Sequence, residues 1–159
     1  MATSDFISLK LQNALRDLVR GDWTLGRMDF WRAEFAENPN NQDAISTWQN
    51  SVDSIYRCLD SGLIKVLNYD HYSNQDALIN GLRKCNPFVY SGKVRADDYA
   101  WNGVFVCATD ELAAIVERFF QNDDEYATSV NGGFIAAIQK AFEDAGVPWS
   151  DKPLMPIVP

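Results

Sequence analysis

Apolar residues recur every three or four positions along most of the chain, which is the signature of amphipathic helices. Ser4 reads as an N-cap, and Ile7, Leu11, Ala14, Leu15, Leu18 and Val19 then form one stripe that Gly21 stops. Met28, Trp31 and Phe35 predict a shorter helix over Arg27 to Glu37 with the three on one face, broken by Asn38-Pro39-Asn40-Asn41. The strongest pattern runs from about Asp43 to Ser61. There Ile45, Trp48, Val52, Ile55 and Leu59 are spaced 3, 4, 3 and 4 residues apart, and Gly62 supplies the C-terminal stop. That stripe is expected to be core.

Beyond Gly62 the run Leu63-Ile64-Lys65-Val66-Leu67 fits either a strand or a packed turn, because periodicity does not separate the two over so short a span. Ser73-Asn74-Gln75-Asp76 has the form of an N-cap and opens a helix through Leu78 and Leu82 to Cys85. Residues 86–108 are the least helical, with Pro87, Gly92 and Gly103 among aromatic and β-branched residues, and leave room for a small hairpin. Thr109-Asp110-Glu111 opens a helix carrying Leu112, Ile115, Val116, Phe119 and Phe120. Asn131-Gly132-Gly133 opens a last one, with Phe134, Ile135, Ile138, Ala141 and Phe142, that ends at Gly146-Val147-Pro148. Four prolines after residue 147 exclude a helical tail. The expectation is a mainly α chain with a minor β element, a single helical domain over 1–147 and a Pro-rich extended tail over 148–159.

Composition narrows the class. With 159 residues, 47% of them hydrophobic and 13% aromatic, the chain has the burial potential of a globular domain and not of a disordered acidic tail. The longest apolar runs, such as Val104 to Ala108, reach five residues, too few for a membrane span. Met1-Ala2-Thr3-Ser4-Asp5 lacks the basic start of a signal peptide, and three cysteines without close spacing suit a reducing compartment, so a cytoplasmic location is expected.

Charge is unevenly placed. The formal net charge is −8, yet residues 1–35 balance five basic against five acidic groups, whereas residues 96–151 hold eleven acids against Arg118 and Lys140. Such a field repels phosphate backbones, which argues against direct nucleic-acid binding.

Candidate catalytic chemistry is sparse. The single histidine, His71, lies in a polar aromatic linker beside Asp70, where neighbours in sequence seldom face each other productively. Cys58 and Cys107 sit in apolar settings typical of inert thiols, and one histidine is too few for the common zinc sets. Asn131-Gly132-Gly133 lacks the wider phosphate-loop pattern and its lysine, and Asp123-Asp124-Glu125 lacks the alternating ligands and glycine of a calcium loop. No catalytic residue, metal or cofactor is assigned.

Two acidic segments stand out by their company. Asp97, Asp98, Tyr99 and Trp101, and Asp123, Asp124, Glu125 and Tyr126, set carboxylates beside large aromatics between helices. Aromatic anchors ringed by carboxylates suit contact with lysines and arginines of a basic protein, so these eight residues are the expected partner-binding set, with the arginine-bearing first 35 residues as the next place to look.

The profile, small, acidic, rich in tryptophan and tyrosine, together with the block Trp48, Ser51-Val52, Ile55, Leu59 and Ser61-Gly62-Leu63-Ile64, resembles the immunity proteins encoded beside contact-dependent growth-inhibition and other polymorphic toxins of bacteria. The resemblance implies a non-enzymatic cytoplasmic protein that binds and blocks a cognate toxin, often a basic nuclease. The alternative is a structural, adaptor or regulatory subunit whose acidic surface serves solubility.

Overall fold

A computed structural model describes residues 5–69, 71–89, 98–121 and 128–159. Helix α1 (Asp5–Arg20) buries the predicted stripe up to Leu18 with Val19 half-buried, and the nineteen-residue α2 (Gln42–Asp60) buries Trp48, Val52 and Ile55 with Ile45 and Leu59 half-buried against the core. Asn41 caps α2 by accepting from the Ala44 amide at 2.7 Å. At its other end Gly62, at φ +73°, completes a Schellman motif in which Gly62 N–H donates to Leu59 and Leu63 N–H to Cys58.

That reversal feeds β2 (Ile64–Asn68), so the ambiguous run 63–67 resolves as a strand. Its partner β3 (Phe105–Ala108) is the centre of a three-stranded antiparallel sheet, with β1 (Trp23–Thr24) on the other side and the order β1-β3-β2. The minor β element is therefore built from strands far apart in sequence. Among the described residues no hairpin closes within 86–108, and residues 90–97 lie outside them. Val106 pairs with Trp23 and Val66 in one register, and a bulge between Val66 and Asn68 leaves Leu67 out of the ladder. Helices α1 and α2 pack against this sheet, burying Val106 and Ile64 and leaving Phe105 and Leu67 exposed.

The remaining helices are α3 (Gln75–Lys84), α4 (Asp98–Asn102), α5 (Asp110–Phe119) and α6 (Gly132–Asp144). Each of α3, α5 and α6 starts on a side-chain cap, Asn74, Thr109 and Asn131 respectively, so the α3 cap falls one residue beyond Ser73. Gly146, at φ +78°, ends α6 with a second Schellman pair, Gly146 N–H to Glu143 and Val147 N–H to Phe142. The fold is mainly α with a minor β element, and no helix among the described residues is long and apolar enough to cross a membrane.

The helix expected over Arg27 to Glu37 does not form. Two 3₁₀ turns, Leu25–Met28 and Ala33–Ala36, flank a break at Phe30, whose φ is +53°. The Asp29 carboxylate accepts from the Trp31 amide at 3.0 Å, a local bond that competes with helical pairing. Phe30 takes the inward position beside Met28 and Phe35, and Trp31 is turned outward.

The Pro-rich tail is strapped to α2 and α3 chiefly through its own backbone. Asp53 accepts from Leu154 and Met155 N–H at 3.2 and 2.9 Å, and Gln49 accepts from Ile157 N–H while donating to the Met155 carbonyl, both at 2.9 Å. Arg57 donates to the carbonyls of Val147 and Pro148, and Val158 N–H donates to the Arg83 carbonyl.

Candidate functional site

Of the eight residues expected to meet a partner, Asp97, Asp123, Asp124, Glu125 and Tyr126 lie outside the described residues. Asp98 opens α4, and Tyr99 is exposed at 39%, its ring edge-on to His71 with centroids 4.6 Å apart. Trp101 requires a correction. It is 1% exposed, and its indole N–H donates to the Cys85 carbonyl at 2.7 Å across the α3–α4 junction, so it is a core residue and not a surface anchor. Trp101→Phe should therefore lower stability by about 1–2 kcal/mol in urea unfolding, because the Cys85 carbonyl loses its buried donor.

Of the three other chemical candidates, Cys107 is half-buried on β3. His71 is exposed. Cys58 is fully buried in α2, and burial pushes its thiol well above the ordinary range, which leaves it unreactive.

Among the described residues a different surface gathers several charged and aromatic side chains. Between α1 and the segment 26–31 lies a cleft of about 580 Å³, lined on one side by Lys10, Asn13 and Asp17 and on the other by Arg27, Asp29, Phe30 and Trp31. Two tryptophans belong to this region, Trp31 at 44% and Trp23 at 43% exposure. A large aromatic held half in water removes little area from solvent on folding, so most of its hydrophobic free energy remains to be gained on association.

Asp17 and Arg27 form the cleft's internal ion pair, with Nε donating to the carboxylate at 2.7 Å and a second guanidinium nitrogen also on it. The same guanidinium lies 4.8 Å from the Trp23 ring, and Trp23 in turn donates its indole N–H to the Asp17 carbonyl at 3.2 Å. Carboxylate, guanidinium and indole thus form one mutually contacting set.

Asp29 is placed differently. Desolvation raises its carboxyl to about 6, against the opposing effects of the Trp31 amide, Lys10 and Arg27. Among the described residues no cation lies within ion-pair distance of it. Beside it, Phe30 keeps a left-handed backbone that costs about 1–3 kcal/mol, held by burial of its ring. A desolvated carboxylate and a half-exposed indole are thereby fixed on one strained turn.

The sequence carried a signal for this site. Asp29-Phe30-Trp31-Arg32 crowds two charges and two aromatics into four positions, but the helical spacing of Met28, Trp31 and Phe35 put Trp31 on one helix face with the other two. Comparison with protein-family models, with curated proteins and with solved structures finds no match.

Proposed function

We propose that this chain is a non-enzymatic binding protein of the cytoplasm that neutralises a basic protein, in the manner of an immunity protein blocking a cognate nuclease-type toxin. The observation that carries the reading is the pair of half-exposed tryptophans, Trp23 and Trp31, beside a cleft with a desolvated carboxylate. Aromatic anchors beside a partly buried charge are the composition of an energetic hot spot.

The charge distribution gives this surface a long-range complement. Asp110, Glu111, Glu117, Glu143 and Asp144 are exposed along α5 and α6, in the half of the chain that holds eleven acids against two bases. A field of that sign steers a basic partner toward the molecule, while the neutral 1–35 region, rich in arginine and tryptophan, supplies contacts that persist once the partner arrives.

The test is co-expression with the product of the adjacent gene. Growth arrest by that product and its relief by this chain, with a complex seen in size-exclusion chromatography, would uphold the reading. Failure of both protection and complex formation would sink it. For the purified pair, raising salt from about 0.05 to about 0.5 M should slow association by an order of magnitude while changing dissociation less. A salt-independent association rate would remove the acidic surface from the recognition step.

A further inference from the structure

The cleft contains one complete carboxylate–guanidinium–indole set and the outline of a second. In the first, Asp17 binds Arg27 and the Trp23 ring lies against the same guanidinium at 4.8 Å. In the second, Asp29 and Trp31 line the same space two residues apart, the Trp31 amide fixes one carboxylate oxygen at 3.0 Å, and among the described residues no guanidinium lies within ion-pair distance of Asp29. We infer that the Asp29–Trp31 half of this cleft is a receptor for a guanidinium side chain carried by the protein partner. This assignment rests on the binding reading above and names the chemistry of its central contact.

Three features favour an arginine over other occupants. The carboxylate has an acceptor oxygen beyond the one held by the Trp31 amide, and a guanidinium is planar, so it pairs edgewise with a carboxylate while stacking on an aromatic face. An ammonium makes the first contact and loses the stacking. The nearby surface also uses guanidinium–ring contacts repeatedly: Arg32 lies 5.0 Å from the Phe6 ring and 5.3 Å from Phe35. Finally, Lys10 and Arg27 line the cleft and attract the Asp29 carboxylate without reaching ion-pair distance of it, Lys10 lying 5.7 Å from the Phe6 ring and Arg27 being bonded to Asp17.

A protein-borne arginine is favoured over the free amino acid because the acceptor is a single carboxylate beside an exposed indole at an open rim. A free amino acid would bring its own α-carboxylate into a space already lined by the Asp29 carboxylate, with Arg27 bonded to Asp17.

The experiment uses the whole chain, labelled with nitrogen-15, and N-acetyl-arginine N-methylamide as probe. Saturable shifts at the Trp31 indole and the amides of 29–31 are expected, with a midpoint on the order of 1–10 mM for one isolated contact. Asp29→Asn and Trp31→Ala should each weaken the midpoint about tenfold or more. The capped citrulline analogue, which has the shape without the charge, should not bind, and the capped lysine analogue should bind several-fold more weakly. The absence of a saturable shift at Trp31, or equal affinity for citrulline or for Asp29→Asn, overturns the assignment. Binding of free arginine without binding of the capped form overturns the protein source in favour of a small-molecule site. Because the probe needs no partner, a positive titration survives failure of the co-expression test. Conversely, a partner complex indifferent to Asp29→Asn would uphold the broader reading and overturn this one.

Discussion

Arg57→Ala should lower the unfolding free energy by about 3–5 kcal/mol, one of the largest losses available from a single side chain in this protein. Arg57 is 1% exposed in the last turn of α2, so little water is at hand to take over its hydrogen bonds. Its Nε donates to the Val147 and Pro148 carbonyls at 3.1 and 3.2 Å, a second nitrogen reaches Pro148 at 3.0 Å, and the guanidinium lies 4.8 Å from the Trp149 ring. Asp53, one turn back, is 3.9 Å away. Burial lowers the guanidinium's pKa and raises that of the Asp53 carboxyl, so each is held in its charged form against desolvation by the other and by the backbone groups around them.

Truncating the arginine leaves buried carbonyls without donors and Asp53 without its cation, while the strap keeps only the Asp53, Gln49 and Arg83 contacts. Arg57→Lys should recover little, because an ammonium can neither span the two carbonyls nor stack on Trp149. Urea unfolding with circular dichroism gives the loss, and limited proteolysis shows where it falls. Cleavage within 147–159 should accelerate before the helical core opens. If the loss stays below about 1 kcal/mol, the strap is not anchored at this point.

This strap illustrates what a linear sequence conceals. The Pro-rich composition excluded a helix after residue 147, and the bonded tail conforms to that, but its partners Gln49 and Asp53 are a hundred residues away on a helix whose polar positions look merely solvated. Caps and stops were legible because they are local. Thr109 and Asn131 bond amides three residues on, and Gly62 and Gly146 adopt the positive φ that their glycine identity permits. Strand pairing was not legible, since β3 takes one partner about forty residues back and another about eighty.

The aromatics failed in both directions for one reason. Composition gives the number of large rings and not the side of the chain on which each lies. Trp101, flanked by acids and glycine, is buried because Cys85 offers its carbonyl from another element. Trp31, at helical spacing from two core residues, is exposed because Asp29 bonds the next turn and Phe30 fills the inward place. Both outcomes depend on a hydrogen bond that periodicity does not encode.

Asp29→Asn should raise stability at pH 7 by about 2 kcal/mol, and the sign follows from the placement of that carboxyl. Its pKa is about 6 in the folded chain against an ordinary 3.8, so between those values the native state binds a proton that the unfolded state does not. Stability contributed by this group therefore falls as pH rises from about 4 to about 6, and the full penalty is present at pH 7. The upper limit from the pKa difference is about 3 kcal/mol, reduced because the carboxyl is not fully removed from water. Lys10 and Arg27 attract the carboxylate and are insufficient to restore its ordinary pKa, and Asp17 on the opposite wall is paired with Arg27. Asparagine keeps an oxygen for the Trp31 amide without the charge, so the turn at Phe30 should persist. The measurement is the difference in unfolding free energy between variant and wild type, taken from pH 4 to pH 8. Subtraction cancels the titration of Asp53 and the other carboxylates, leaving a curve that is near zero at pH 4 and rises to a plateau above pH 6.5. A flat difference, or a destabilised variant at pH 7, would mean that Asp29 is solvated. A rising curve, together with loss of guanidinium binding in the same variant, identifies a charge kept in the cleft at the expense of stability because recognition uses it.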